Sequence, residues 1–136
     1  MPDLHTAARR YLGVPFFHRG RDSARGIDCV GLAVLAARDC GWGVQDLADY
    51  TRHPKGGLLE SMLRLNCGAP VADMQAGDLV AIRYAHAGPV RHVGIVGDHP
   101  HGLSLIHTDS HIGRVVEQRI DQSITARIAA VYRRAA

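Results

Sequence analysis

An α+β fold, in which one apolar helix packs on an antiparallel sheet, is predicted by three observations. The run Cys29-Val30-Gly31-Leu32 continues through Ala33-Val34-Leu35-Ala36-Ala37 and reads as a buried helix. From Gly77 onward, five short segments rich in β-branched residues are separated by turn residues. The helical signals come first and the strands follow, which is the α+β order.

Taken in order, residues 4–12 predict a short amphipathic helix and residues 13–26 a loop rich in glycine and arginine. The central helix spans residues 28–40, with Asp28 as its N-cap and Gly41 as its stop. A further helix spans residues 57–66, where Leu58, Leu59, Met62, Leu63 and Leu65 form an apolar stripe that stops before Cys67-Gly68. Strands are predicted at 78–83, 91–97, 103–108, 115–120 and 128–132. With no internal repeat, low-complexity tract or linker, the 136 residues read as a single domain, 1–136.

Composition narrows the function. At 46% hydrophobic residues, a chain of this length buries a core without staples. The net charge of +3 comes almost wholly from dispersed arginines, with Lys55 the one lysine. That pattern lacks the basic stripe of a nucleic-acid binder but suits a substrate bearing carboxylates. No apolar run reaches membrane-spanning length, and residues 1–12 lack the apolar core of a secretory signal. The expectation is a chain made without an export signal of its own and not inserted in a membrane. Three cysteines, Cys29, Cys40 and Cys67, cannot all pair. On one helix, Cys29 and Cys40 would lie about 16 Å apart, beyond disulfide reach.

The candidate chemistry gathers at Cys29 and two histidines. A cysteine opening a helix meets unpaired N–H groups and the positive end of the helix dipole, an arrangement expected to favour the thiolate. The strands around residues 91–97 and 103–108 bracket Asp98-His99-Pro100-His101. The simplest register pairs Gly97 with Gly102 and sets His92 opposite His107 on one sheet face. Gly94, two residues from His92 on that face, leaves room for a neighbouring element such as the helix N-terminus bearing Cys29. The set would be a thiol, a base and an orienting partner for the base. Singly, each residue is also explained as a buried small hydrophobe or a structural histidine. His107 and His111 are spaced like zinc ligands, but residues 108–113 read as a turn and no CxxC accompanies them, so no metal site is expected.

Four ordered motifs then carry a resemblance: Asp28-Cys29-Val30-Gly31-Leu32, Ala76-Gly77-Asp78-Leu79, His92-Val93-Gly94-Ile95 and Ile106-His107-Thr108. Together they resemble the NlpC-type cell-wall peptidases, a papain-like superfamily, over residues 10 to 134. Residues Gly13-Val14-Pro15-Phe16-Phe17-His18-Arg19-Gly20-Arg21, with Gly26 to Leu32 and the ending Arg127 to Arg134, are similar to the phage and prophage branch of that superfamily. That branch includes lambda-type tail assembly protein K and the peptidases of gene transfer agents. The resemblance implies a papain-like thiol peptidase that cuts peptidoglycan stem peptides between D-γ-glutamate and a diamino acid. Cys29 would be the nucleophile, His92 the base and His107 its orienter, with no metal or organic cofactor. Phe16, Arg19, Asp28 and Arg91 are the implied substrate-binding residues, and Arg21 is a further candidate for substrate carboxylates. The implied partners are the stem peptide and tail-tip or hub proteins, and the implied location is the virion tail, acting in the periplasm or cell wall. Two features depart from the pattern: Val30 stands where the family has serine, and Phe16 where many members have tyrosine. The competing expectations are a structural tail protein that keeps the fold, and an amidase or acyltransferase acting on another substrate.

Overall fold

The computed structural model describes residues 2–47, 49–51 and 56–134. Its elements follow the predicted order. Helix α1 (Leu4–Arg9) leads into a two-stranded hairpin, β1 (Arg21–Asp22) and β2 (Gly26–Ile27), and then into α2 (Cys29–Asp39) and α3 (Leu58–Cys67). After these come β3 (Leu79–Arg83), β4 (Val90–His99), β5 (Gly102–His107), β6 (Val116–Arg119), α4 (Gln122–Arg127) and β7 (Ile128–Tyr132). The five long strands form one antiparallel sheet in the order β6-β5-β4-β3-β7, which makes β4 the central strand.

Strand alternation divides the core in two. Leu79, Ala81, Val93, Ile95 and Ile106 face α1, α2 and α3, where Leu4, Val30, Leu32, Val34, Leu59 and Leu63 are buried against them. Val80, Ile82, Val96 and Leu105 point the other way and are covered by Ile124 of α4. The sequence reading missed α4, a six-residue helix. Its start carries a recognisable signal, because Asp121 accepts from Ile124 N–H as an N-cap. Arg9 ties α1 to the sheet through a two-pronged contact with Glu117 and an ion pair with Asp98 at 2.9 Å.

Three predicted features are corrected. Helix α1 ends at Arg9 rather than residue 12, and the loop at 13–26 contains the β1–β2 hairpin. The β4–β5 hairpin is longer than expected: His99 pairs with Gly102, so its turn shrinks to Pro100-His101 and paired positions shift by two residues. His92 is therefore not directly opposite His107. A two-residue shift preserves the face, so both rings still project from the same side of the sheet.

The start of α2 is held by backbone contact. Gly31 lies so close to Gly20 that a Cβ there would overlap the Gly20 carbonyl oxygen. Gly31→Ala is expected to cost about 1–3 kcal/mol, because the obstacle is backbone rather than a movable side chain. Thermal unfolding of that variant checks the expectation, and an unchanged Tm would show that the loop yields.

Candidate active site

Asp28 is the keystone of the loop that presents Cys29. Its side chain caps α2 by accepting from Gly31 N–H at 2.8 Å, and it also accepts from Arg19 N–H at 2.8 Å, Arg21 at 3.1 Å and the Tyr50 hydroxyl at 2.6 Å. Arg21 continues outward to Asp46 and also donates to the Tyr50 hydroxyl. The carboxylate is buried and committed to four protein donors, so it fixes the loop and helix start.

Cys29, the first residue of α2, opens into a cleft with His92. Phe16, Val30, Tyr50, Tyr84, Arg91, Thr108 and Asp109 line the cleft. The backbone N–H groups of Val93 and Val30 are directed at the thiol, which places the sulfur beside the strand residue that follows His92. A β-bulge at Arg91, where Ile82 pairs with His92 and Arg83 with Val90, adjoins His92 in β4. The room at Gly94 is filled by Leu105 of the adjacent strand, not by the Cys29 helix as the sequence suggested. Helix α2 packs on the opposite face, and Cys29 meets His92 around the end of the strand.

Behind His92 runs a chain of rings. His92 Nε2 lies 2.8 Å from His107 Nδ1, and His107 Nε2 lies 2.7 Å from Gln118 Oε1. His92 Nδ1 is buried and makes no hydrogen bond, so it is the ring nitrogen not engaged by His107. Tyr84 stacks on the His92 ring with centroids 5.6 Å apart, and its hydroxyl reaches Asp109 at 3.4 Å. Of the expected substrate-binding residues, Phe16, Asp28 and Arg91 line the cleft, whereas Arg19 points to exposed Asp49 at 3.2 Å. Sequence reasoning missed Tyr50, Tyr84, Asp109 and Gln118. Asp109 was findable as the polar residue two past His107, but Tyr50 lies in an irregular segment with no local signal.

The electrostatics correct one expectation. Burial, reinforced by the Asp28 carboxylate, pushes the Cys29 thiol up to about 12 and overrides the helix dipole. Burial also holds His92 well below the usual histidine range, and the neighbouring His107 adds to that effect. Both effects favour the neutral thiol and the neutral imidazole over an ion pair. Iodoacetamide should label Cys29 slowly at pH 7, with the rate rising about tenfold per pH unit through pH 9 as the thiolate fraction grows. A rate already level near neutral pH would contradict this protonation state.

The NlpC/P60 family profile matches residues 13–134. The chain belongs to the NlpC/P60 family. No curated protein matches the sequence. Among solved structures, an NlpC/P60 family protein from Bacillus cereus aligns with 96% of the chain at 20% identity and a TM-score of 0.69. A lipoprotein-like member of the family from Staphylococcus aureus aligns with 98% at 18% identity and a TM-score of 0.65. The NlpC/p60 domain of the peptidoglycan hydrolase SagA aligns with 96% at 21% identity and a TM-score of 0.61. The chain spans 39% and 40% of the Bacillus and Staphylococcus proteins but 95% of the SagA domain. Its fold is thus the papain-like α+β fold of NlpC/P60 domains, with the cysteine-bearing helix against an antiparallel sheet. One family motif has a structural task here. Asp78 of Ala76-Gly77-Asp78-Leu79 is buried and held by both prongs of Arg133, at 2.7 and 2.8 Å, and accepts from Gln75 N–H.

Proposed function

We propose that this NlpC/P60 domain is a cysteine hydrolase of peptidoglycan stem peptides, cutting the amide between D-γ-glutamate and a diamino acid. The observation that carries the reading is that His92 lines the Cys29 cleft with its Nδ1 unpartnered while His107 holds the other ring nitrogen. In the first step His92 Nδ1 takes the Cys29 proton as the sulfur attacks the substrate carbonyl. The carbonyl oxygen becomes an oxyanion beside the backbone N–H of Cys29, since the Gly31 N–H is committed to Asp28. His92 then gives its proton to the leaving amine, which departs and leaves a thioester. Water, deprotonated by His92, hydrolyses the thioester and regenerates the thiol. Arg91 on the cleft wall supplies a positive charge for a substrate carboxylate. Val30 offers no side-chain hydrogen bond where the family has serine, and Phe16 offers no hydroxyl, so backbone groups and Arg91 bear more of the recognition.

The setting we propose is the tip of a phage or prophage tail, supported by the similarity of residues 13–32 to that branch.

Mass spectrometry of purified peptidoglycan fragments incubated with the protein tests the chemistry. The expected products carry a new diamino-acid amine and a new γ-glutamyl carboxylate, and Cys29→Ala should yield neither. Fragments left intact under conditions where iodoacetamide labels Cys29 would overturn the reading in favour of a structural role. Cleavage at another amide would relocate the bond. Proteomics of purified particles tests the setting: the protein should appear in stoichiometry with tail-tip proteins, and its absence there would refute it.

A further inference from the structure

We infer that Gln118 is a positioning residue that sets the direction of the proton chain and so decides which nitrogen of His92 faces Cys29 as a base. This rests on the hydrolase reading above and adds to it a residue at the far end of the site. A neutral imidazole has one N–H and one lone pair, so a line of hydrogen-bonded imidazoles can point either way. Nothing within the His92–His107 pair chooses between the two directions. The choice falls to the group at the end of the line, and that group is the Gln118 side-chain oxygen, 2.7 Å from His107 Nε2.

A carbonyl oxygen only accepts. With Gln118 presenting its oxygen to the ring, His107 carries its proton on Nε2, which leaves Nδ1 as an acceptor. His92 must then carry its proton on Nε2 to donate across the 2.8 Å contact. That leaves the lone pair on His92 Nδ1, the buried nitrogen with no hydrogen-bond partner, on a ring that lines the Cys29 cleft. With the chain reversed, His92 Nδ1 would hold a proton and could not take one from the thiol. The three residues stand on neighbouring strands, β4, β5 and β6, and each contact is a diagonal one: His107 pairs with Val116, and Gln118 with Leu105. A long side chain is needed to span such a diagonal. Gln118 is exposed at the sheet edge, so water could replace it; but water donates as readily as it accepts and gives the chain no direction.

Long-range proton–nitrogen NMR of the histidine rings tests this without any substrate. At pH 8 the wild-type protein should show His92 and His107 both protonated at Nε2. Gln118→Met removes the acceptor and should leave His92 a mixture of tautomers, while Gln118→Lys, a donor only, should move the His92 proton to Nδ1. Gln118→Glu keeps the acceptor and should restore the Nε2 tautomers at pH 8. Its carboxylate also favours a doubly protonated His107, which forces the His92 proton onto Nδ1, so that change of tautomer should appear at a higher pH than in the wild type as the solution is acidified. Asp109, Arg127, His111 and Tyr84 border the same rings and are unchanged in these variants, so they do not account for a difference among them. A wild-type spectrum with the His92 proton on Nδ1, or a Gln118→Met protein with unaltered tautomers, would overturn the inference. Failure to cleave peptidoglycan with the expected NMR result would instead count against the hydrolase reading alone.

Discussion

Alanine at Cys29 or His92 is expected to lower kcat/KM for a verified stem-peptide substrate by about 10⁵-fold, because the bond-forming and proton-transferring groups fail as a unit. His107→Ala should lose one to two orders of magnitude less, since it removes an orienting group and leaves the base in place. Asparagine at His107 should recover part of that loss, its side-chain oxygen accepting from His92 Nε2 as the ring nitrogen does at 2.8 Å. Steady-state kinetics on purified fragments measures all four variants. Near-native turnover in His92→Ala would remove His92 from the mechanism.

The largest effect on stability is expected from Asp28→Ala. The substitution strips the N-cap from α2 and leaves Arg21, the Tyr50 hydroxyl and two backbone N–H groups without their acceptor. Removing one partner of a buried ion pair costs about 3–5 kcal/mol, because the remaining charge stays desolvated. Arg21 keeps a second partner in Asp46, at 2.9 and 3.0 Å, which places the expected loss at the lower end of that range. Denaturant unfolding should show the midpoint falling with an unchanged slope. Asp28→Asn, which can still accept but carries no charge, should lose less. A loss below about 1 kcal/mol in Asp28→Ala would mean that the loop relaxes and water takes over the orphaned donors.

Much of this architecture was legible because it rests on local pattern. The run from Cys29 to Ala37 could hardly be anything but a buried helix, and the five strands announced themselves through β-branched residues and turns. The two histidines were placed on one face by parity alone, and parity survived a register error of two residues where an error of one would have separated them. What was not legible depends on contacts distant in sequence. No local signal links Tyr50 to Asp28, or Gln118 to His107, because each pairing exists only after the chain has folded. The thiol was misjudged for a related reason. A helix dipole can be read from a motif, but burial by residues from other segments cannot, and at Cys29 burial is the stronger effect.

The strand order carries a consequence for how the protein is made. Strand β7 is the last strand in sequence, yet it pairs along β3, and Arg133 just beyond it neutralises the buried Asp78 that introduces β3. A ribosome therefore releases Cys29, His92 and His107 well before the sheet can close. Until residues 128–133 emerge, β3 is an open edge and Asp78 lacks its counter-charge, so the nascent chain has every reactive group but no completed scaffold to hold them. Closure of the sheet that holds Cys29, His92 and His107 thus waits on the last strand of the described residues.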